Sequence, residues 1–156
     1  MKIRLTLNGR DHEPEVMPGE SLMTVLRRLG AKSVKNGCDR GDCGSCAVLL
    51  DGRAVNACLV FAVKADGRSV VTLEGIDHDG ELHPLQTASL DLGAVQCGFC
   101  TPGIIMLALD LLATNPDPTE AEVREALTGN YCRCTGWVKP VEAILAAAAM
   151  LRGEGE

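Results

Sequence analysis

Eight cysteines fall into two quartets of different spacing, and the rest of the 156-residue chain has to fold around them. The first quartet is Cys38-x4-Cys43-x2-Cys46-x11-Cys58, and the second is Cys97-x2-Cys100-x31-Cys132-x-Cys134. Neither has the look of a disulfide framework. Four thiolates can hold a metal centre, and ligation gathers residues that are distant in sequence at one point.

Bulk properties narrow the setting. Met1 to Leu7 alternates polar and apolar residues, a strand pattern and not a basic segment followed by an apolar run, so no signal peptide is expected. Apolar stretches break well before the roughly 20 residues needed to span a bilayer. A cytoplasmic protein with no membrane span is expected, in which cysteines stay as thiols or bind metal. Residues 1–77 hold 11 Lys and Arg against 10 Asp and Glu, and residues 78–156 hold 4 against 11. An acidic second half with no basic run, in a chain only 3% aromatic, argues against nucleic-acid binding. The acidic residues read as a solvated surface.

The two halves differ in periodicity. Lys2–Leu7, the turn Asn8-Gly9 and Asp11–Val16 predict a hairpin. Ser21 caps a helix whose apolar face is Leu22, Val25, Leu26 and Leu29, closed by Gly30. Ala47–Leu50 and Arg53–Asn56 flank a second hairpin turn, Asp51-Gly52, and Ser69–Leu73 makes a further strand. Strands around one helix give an α+β pattern. The second half predicts helices over Pro84–Leu92, Gly103–Ala113, Thr119 to about Leu127 closed by Gly129, and Val138–Leu151, together a four-helix bundle. Asp110 interrupts the otherwise apolar third-quarter helix, which reads as buried and central. Domains are expected at 1–77 and 84–156, with a linker at 78–83.

The loop Asn36–Cys46 places Gly37, Gly41 and Gly44 among three cysteines. C-x4-C-x2-C…C is the plant-type [2Fe–2S] spacing, and glycines let a backbone wrap an anionic cluster with its N–H groups inward. Structural zinc is the competing reading, but zinc ribbons pair two C-x2-C knuckles, which this is not. In the second quartet each knuckle is followed by Thr and a nearby Gly, in Thr101-Pro102-Gly103 and Thr135-Gly136. Each therefore sits at a helix N-terminus, where free N–H groups favour an anion. Spacing alone leaves zinc open at this second site. A thioredoxin-like C-x-x-C pair is a weaker rival, lacking its βαβ context.

Three segments are recognisable: Gly37 to Cys46 (GCDRGDCGSC), Gln96 to Gly103 (QCGFCTPG) and Gly129 to Gly136 (GNYCRCTG). In these the chain resembles the iron–sulfur subunit of the molybdenum hydroxylases, the xanthine oxidase, aldehyde oxidase and carbon monoxide dehydrogenase family, over nearly its whole length. The resemblance implies a β-grasp, plant-ferredoxin-like domain followed by a helical [2Fe–2S]-binding domain. It implies Cys38, Cys43, Cys46 and Cys58 as ligands of the first cluster, and Cys97, Cys100, Cys132 and Cys134 as ligands of the second. It places Gln96 and Cys134 beside a molybdopterin held by a large partner subunit. Electrons then pass to the ferredoxin-like cluster and on to an external acceptor, or to FAD on a medium FAD-binding subunit. The complex would hydroxylate carbons next to a heteroatom or carbonyl, with water as oxygen source. Trp137 stands where the family often has Tyr, a packing variation.

With eight Cys available, no His ligand of the Rieske type is needed, so His12, His78 and His83 read as surface or turn residues. Met106 and Met150 read as core. Arg40 and Asp42 in the first loop face either a partner or solvent. No G-x-G-x-x-G, Walker or Ser/His/Asp pattern is present, so no residue is assigned to catalysis or to substrate. The alternative functions are a free-standing two-cluster ferredoxin-like carrier and a zinc-bound interaction module.

Overall fold

The computed structural model describes residues 1–77 and 79–154; His78 lies outside the described residues. Five strands, β1 (Leu5–Leu7), β2 (Arg10–His12), β3 (Ala47–Leu50), β4 (Arg53–Asn56) and β5 (Ser69–Val71), form one sheet in the order β2-β1-β5-β3-β4. β5 runs parallel to β1, with Thr6 opposite Ser69, and antiparallel to β3. Both hairpins turn where Asn8-Gly9 and Asp51-Gly52 enter the left-handed region, at φ 49 and 76° and 48 and 80°. Such turns match the right-handed twist of the strands.

The first hairpin is shorter than its pattern predicts. Ile3 donates to the Pro14 carbonyl at 3.2 Å, and only an isolated bridge joins Lys2 to Glu15. Pro14 has no N–H to return, so the ladder stops at His12.

α1 (Leu22–Arg28) starts at Ser21, whose hydroxyl accepts from the Thr24 N–H at 3.3 Å. It ends with Gly30 N–H donating to Arg27 and Ala31 N–H to Leu26, the paired bonds of a glycine-terminated helix. Val48 and Leu50 of β3 join Leu5, Leu7 and Val70 in burying Leu22, Val25 and Leu26 of α1. Ala47 and Leu49 point the other way, into a second core. β3 is apolar at every position because both faces of the sheet are covered.

That second core belongs to α2 (Pro84–Asp91), α3 (Thr101–Thr114), α4 (Glu120–Ala126) and α5 (Val138–Leu151). With α1 the chain has five α-helices among the described residues. His83 caps α2: its Nδ1 accepts from Leu85 N–H at 3.2 Å, and Gln86 Oε1 accepts from the His83 N–H at 2.9 Å. α4 opens with the reciprocal Thr119–Glu122 capping box. It closes in a 3-10 turn over Leu127–Gly129, and Gly129 is not in the left-handed conformation expected of it. Ala143, Ala147 and Ala148 of α5 are buried, as is Ala88 of α2, and their small side chains let the two helices approach closely.

α3 lies against β3 and β4, so the helical half is seated on the sheet. Asp110 explains its one charge. Asp110 Oδ2 accepts from the Ala54 N–H of β4 at 3.2 Å, and Oδ1 lies 2.8 Å from Arg53 Nε in a Coulombic contact. Met106 is fully buried as expected, whereas Met150 is exposed on the last turns of α5. No helix among the described residues is long and apolar enough to cross a membrane.

Candidate metal centres

The loop between α1 and β3 carries Asp39, Gly41 and Gly44 at φ 57, 89 and 68°. These left-handed residues coil the backbone so that N–H groups face one sulfur. Cys43 N–H lies 3.4 Å from Cys38 Sγ. The N–H of Arg40, then those of Cys43 and Asp42, hold the Cys38 thiol down to about 7. Gly37 is required by contact: a Cβ there would sit 2.8 Å from Cys43 Sγ. Cys46 is buried, and burial pushes its thiol up to about 12, with Cys58 alongside it. Arg40 and Asp42 form an exposed ion pair with each other.

In the second quartet, Cys100 is the N-cap residue of α3, and Pro102 stands in its first turn. Cys132 and Cys134 lie in the turn before α5, which Gly136 and Trp137 close at φ 62 and 72°. Cys132 meets Cys100 and Cys134 meets Cys97. Burial pushes the Cys100 thiol up to about 12. Burial also raises Cys132, but the Thr135 hydroxyl, 3.0 Å from its sulfur, and nearby N–H groups outweigh it and leave that thiol lowered. The Cys97 neighbour raises Cys134.

None of the eight cysteines is in a disulfide. Each quartet closes as two adjacent pairs, Cys38/Cys43 with Cys46/Cys58, and Cys97/Cys134 with Cys100/Cys132. This donor set fits a diiron cluster, whose two irons each take two terminal thiolates, better than a single tetrahedral zinc.

The remaining predicted residues fall as follows. Gln96, Cys97 and Cys134 are exposed, while Cys100 is buried. A cavity of about 230 Å³ is lined by Cys43 together with Cys97, Cys100, Cys132 and Cys134. His12 lines a polar groove away from both quartets.

Sequence reasoning passed over Asn130. It is fully buried and donates from Nδ2 to the Gly44 carbonyl at 3.1 Å, across 86 residues of sequence. Its neighbour Tyr131 donates its N–H to the Cys43 carbonyl at 2.9 Å. The available signal was an Asn two residues before Cys132, which alone says nothing of its distant partner.

Residues 5–69 match the family described as 2Fe-2S iron-sulfur cluster binding domain, and residues 72–145 match the [2Fe-2S] binding domain family. The chain is 46% identical over 138 residues to the nicotinate dehydrogenase small FeS subunit of Eubacterium barkeri, covering 88% of each. It is 45% identical over 145 residues to the xanthine dehydrogenase iron-sulfur-binding subunit of Escherichia coli, covering 92% of this chain and 91% of that one. The quinoline 2-oxidoreductase structure from Pseudomonas putida superposes with a TM-score of 0.92 at 42% identity, over 99% of this chain and 98% of the matched chain.

Proposed function

This chain belongs to the iron–sulfur subunits of the molybdenum hydroxylase family and serves such an oxidoreductase in electron transfer, and from that premise we propose the route and the residues that build it. Cys97, Cys100, Cys132 and Cys134 hold the [2Fe–2S] cluster at which electrons enter. Cys38, Cys43, Cys46 and Cys58 hold the one from which they leave. When bound, each cluster supplies a one-electron redox site. The observation that carries this reading is that all four cysteines of the second quartet line one cavity with Cys43 of the first.

The residues divide the work. The N–H groups of Arg40, Asp42 and Cys43 stabilise negative charge on Cys38. The start of the 14-residue α3 does the same for the second quartet. Exposed Gln96 and Cys134 face a molybdopterin carried by a large partner subunit. The Gln96 amide offers both a donor and an acceptor to the pterin edge. The first quartet hands electrons to an external acceptor or to FAD on a medium subunit. We assign residues 1–77 to a β-grasp ferredoxin-like domain, 84–156 to a four-helix domain and 78–83 to the linker, and place the complex in the cytoplasm. A free-standing carrier is not favoured, since the relatives matched nearly end to end are named as subunits.

The test is metal content and low-temperature EPR of the purified complex. Two [2Fe–2S] clusters give four irons per chain and two distinguishable signals on reduction. Zinc in either quartet, or half that iron, overturns the reading.

A further inference from the structure

Three ligand-bearing segments meet at one point between the quartets. Gly44 lies between Cys43 and Cys46, Gly103 follows Cys100 by three positions, and Asn130 precedes Cys132 by two. A Cβ on Gly103 would meet the Gly44 carbonyl oxygen at 2.4 Å and Asn130 Nδ2 at 2.5 Å. A Cβ on Gly44 would meet the Gly129 carbonyl oxygen at 2.4 Å and Asn130 Cα at 2.9 Å. Backbone touches backbone here, and the Asn130 amide is the one side chain wedged into the contact, bonded to Gly44.

Stability alone does not account for an asparagine at this place. Asn130 Oδ1 is buried without a hydrogen-bond partner among the described residues. A buried amide with half its polar atoms unpaired costs free energy that an apolar side chain of similar size avoids. Its Nδ2 does what an apolar side chain cannot: it fixes the Gly44 carbonyl, and with it the Cys43–Cys46 loop, against the segment leading into Cys132.

We propose that Asn130 is a positioning residue that, seated against Gly44 and Gly103, sets the spacing and relative orientation of the two cysteine loops and thereby the magnetic and electronic coupling between the centres they hold. This rests on the two-cluster reading above. Asn130 touches no thiol in this role and acts through the Gly44 backbone.

The experiment is EPR of the fully reduced complex at temperatures where spin–spin splitting between the centres is resolved, with iron analysis of the same samples. Two variants perturb the contact from opposite sides. Asn130→Asp keeps the side-chain size but replaces the donor with an acceptor facing the Gly44 carbonyl. Gly103→Ala drives a methyl into that carbonyl. Each should keep full iron content and both individual signals while the splitting narrows or is lost. Thr128→Ala, nearby and exposed, should keep the wild-type splitting. An unchanged splitting in either iron-replete variant overturns the proposal. Loss of iron from both variants overturns it too, because a spacer between two formed loops leaves each quartet able to bind. Wild-type protein lacking four irons would instead sink the two-cluster reading itself, so the two failures are told apart.

Discussion

Gln96 carries an amide and no thiol, and it stands exposed next to Cys97, whose sulfur meets that of Cys134. Its substitution should therefore separate docking from cluster chemistry. Gln96→Ala is expected to leave iron content and both EPR signals intact, and to slow reduction of the second cluster by substrate or weaken binding of the large subunit. Cys43→Ser should do the reverse. Cys43 belongs to the other quartet but lines the cavity between the two. Its loss damages the exit centre, leaving the entry centre reducible by substrate but slow to pass electrons on. Rapid-freeze EPR after adding substrate to the assembled complex distinguishes them. If Gln96→Ala behaved as wild type while Cys43→Ser abolished reduction of the second cluster, entry and exit would have to be exchanged.

Among elements, α3 carries the most contacts between the halves, and Asp110 clamps it to the edge strand β4. Asp110→Ala removes the acceptor of the Ala54 N–H and the partner of Arg53. Hydrogen bonds to charged groups are worth about 1.5–3 kcal/mol, and the Arg53 side chain is 71% exposed, so its share is small. Hydrogen exchange should show the Ala54 amide losing protection, with α1 unaffected. Unchanged exchange at Ala54 would show the clamp to be idle. Elements with local signals were legible in the sequence: α5 runs over Val138–Leu151 and the β3–β4 hairpin over the expected residues, as periodicity and Asp51-Gly52 dictate. The misreadings also have local causes. Pro14 cuts the first ladder short, and a 3-10 turn replaces the glycine cap after α4. The two cysteine quartets were legible from spacing, and the structure brings Cys43 together with Cys97, Cys100, Cys132 and Cys134 around one cavity. The Asn130–Gly44 contact was not, because no pattern within either segment encodes a partner 86 residues away.

At the scale of the molecule, one sheet serves two cores, α1 on one face and α2–α5 on the other. The helical half is seated on the sheet beneath α3, and under the proposed ligation the second quartet would tie Cys97 and Cys100 to Cys132 and Cys134 as a second restraint. Cys132→Ser should remove the second cluster while the first survives. The loosening should concentrate in α5 and in α2 packed along it, because α3 keeps its seat on Ala47 and Leu49. Hydrogen exchange resolved by helix tests this, and uniform native protection across α2 and α5 would show the quartet to be dispensable for folding.

β5 occupies the centre of the sheet, with β1 on one side and β3 on the other, yet it is the last strand among the described residues. The register Thr6 with Ser69 and Leu7 with Val70 makes its contact order high, so the two hairpins stay apart until residues 69–71 arrive between them. A ribosome delivers the chain from its N-terminus. A nascent chain that has emerged as far as Cys58 already carries all four thiols of the first quartet, but not the strand that unites their sheet. The second quartet waits for Cys134, 76 residues after Cys58. The thiols of the first quartet thus leave the ribosome before the strand that completes their sheet, and those of the second leave after it.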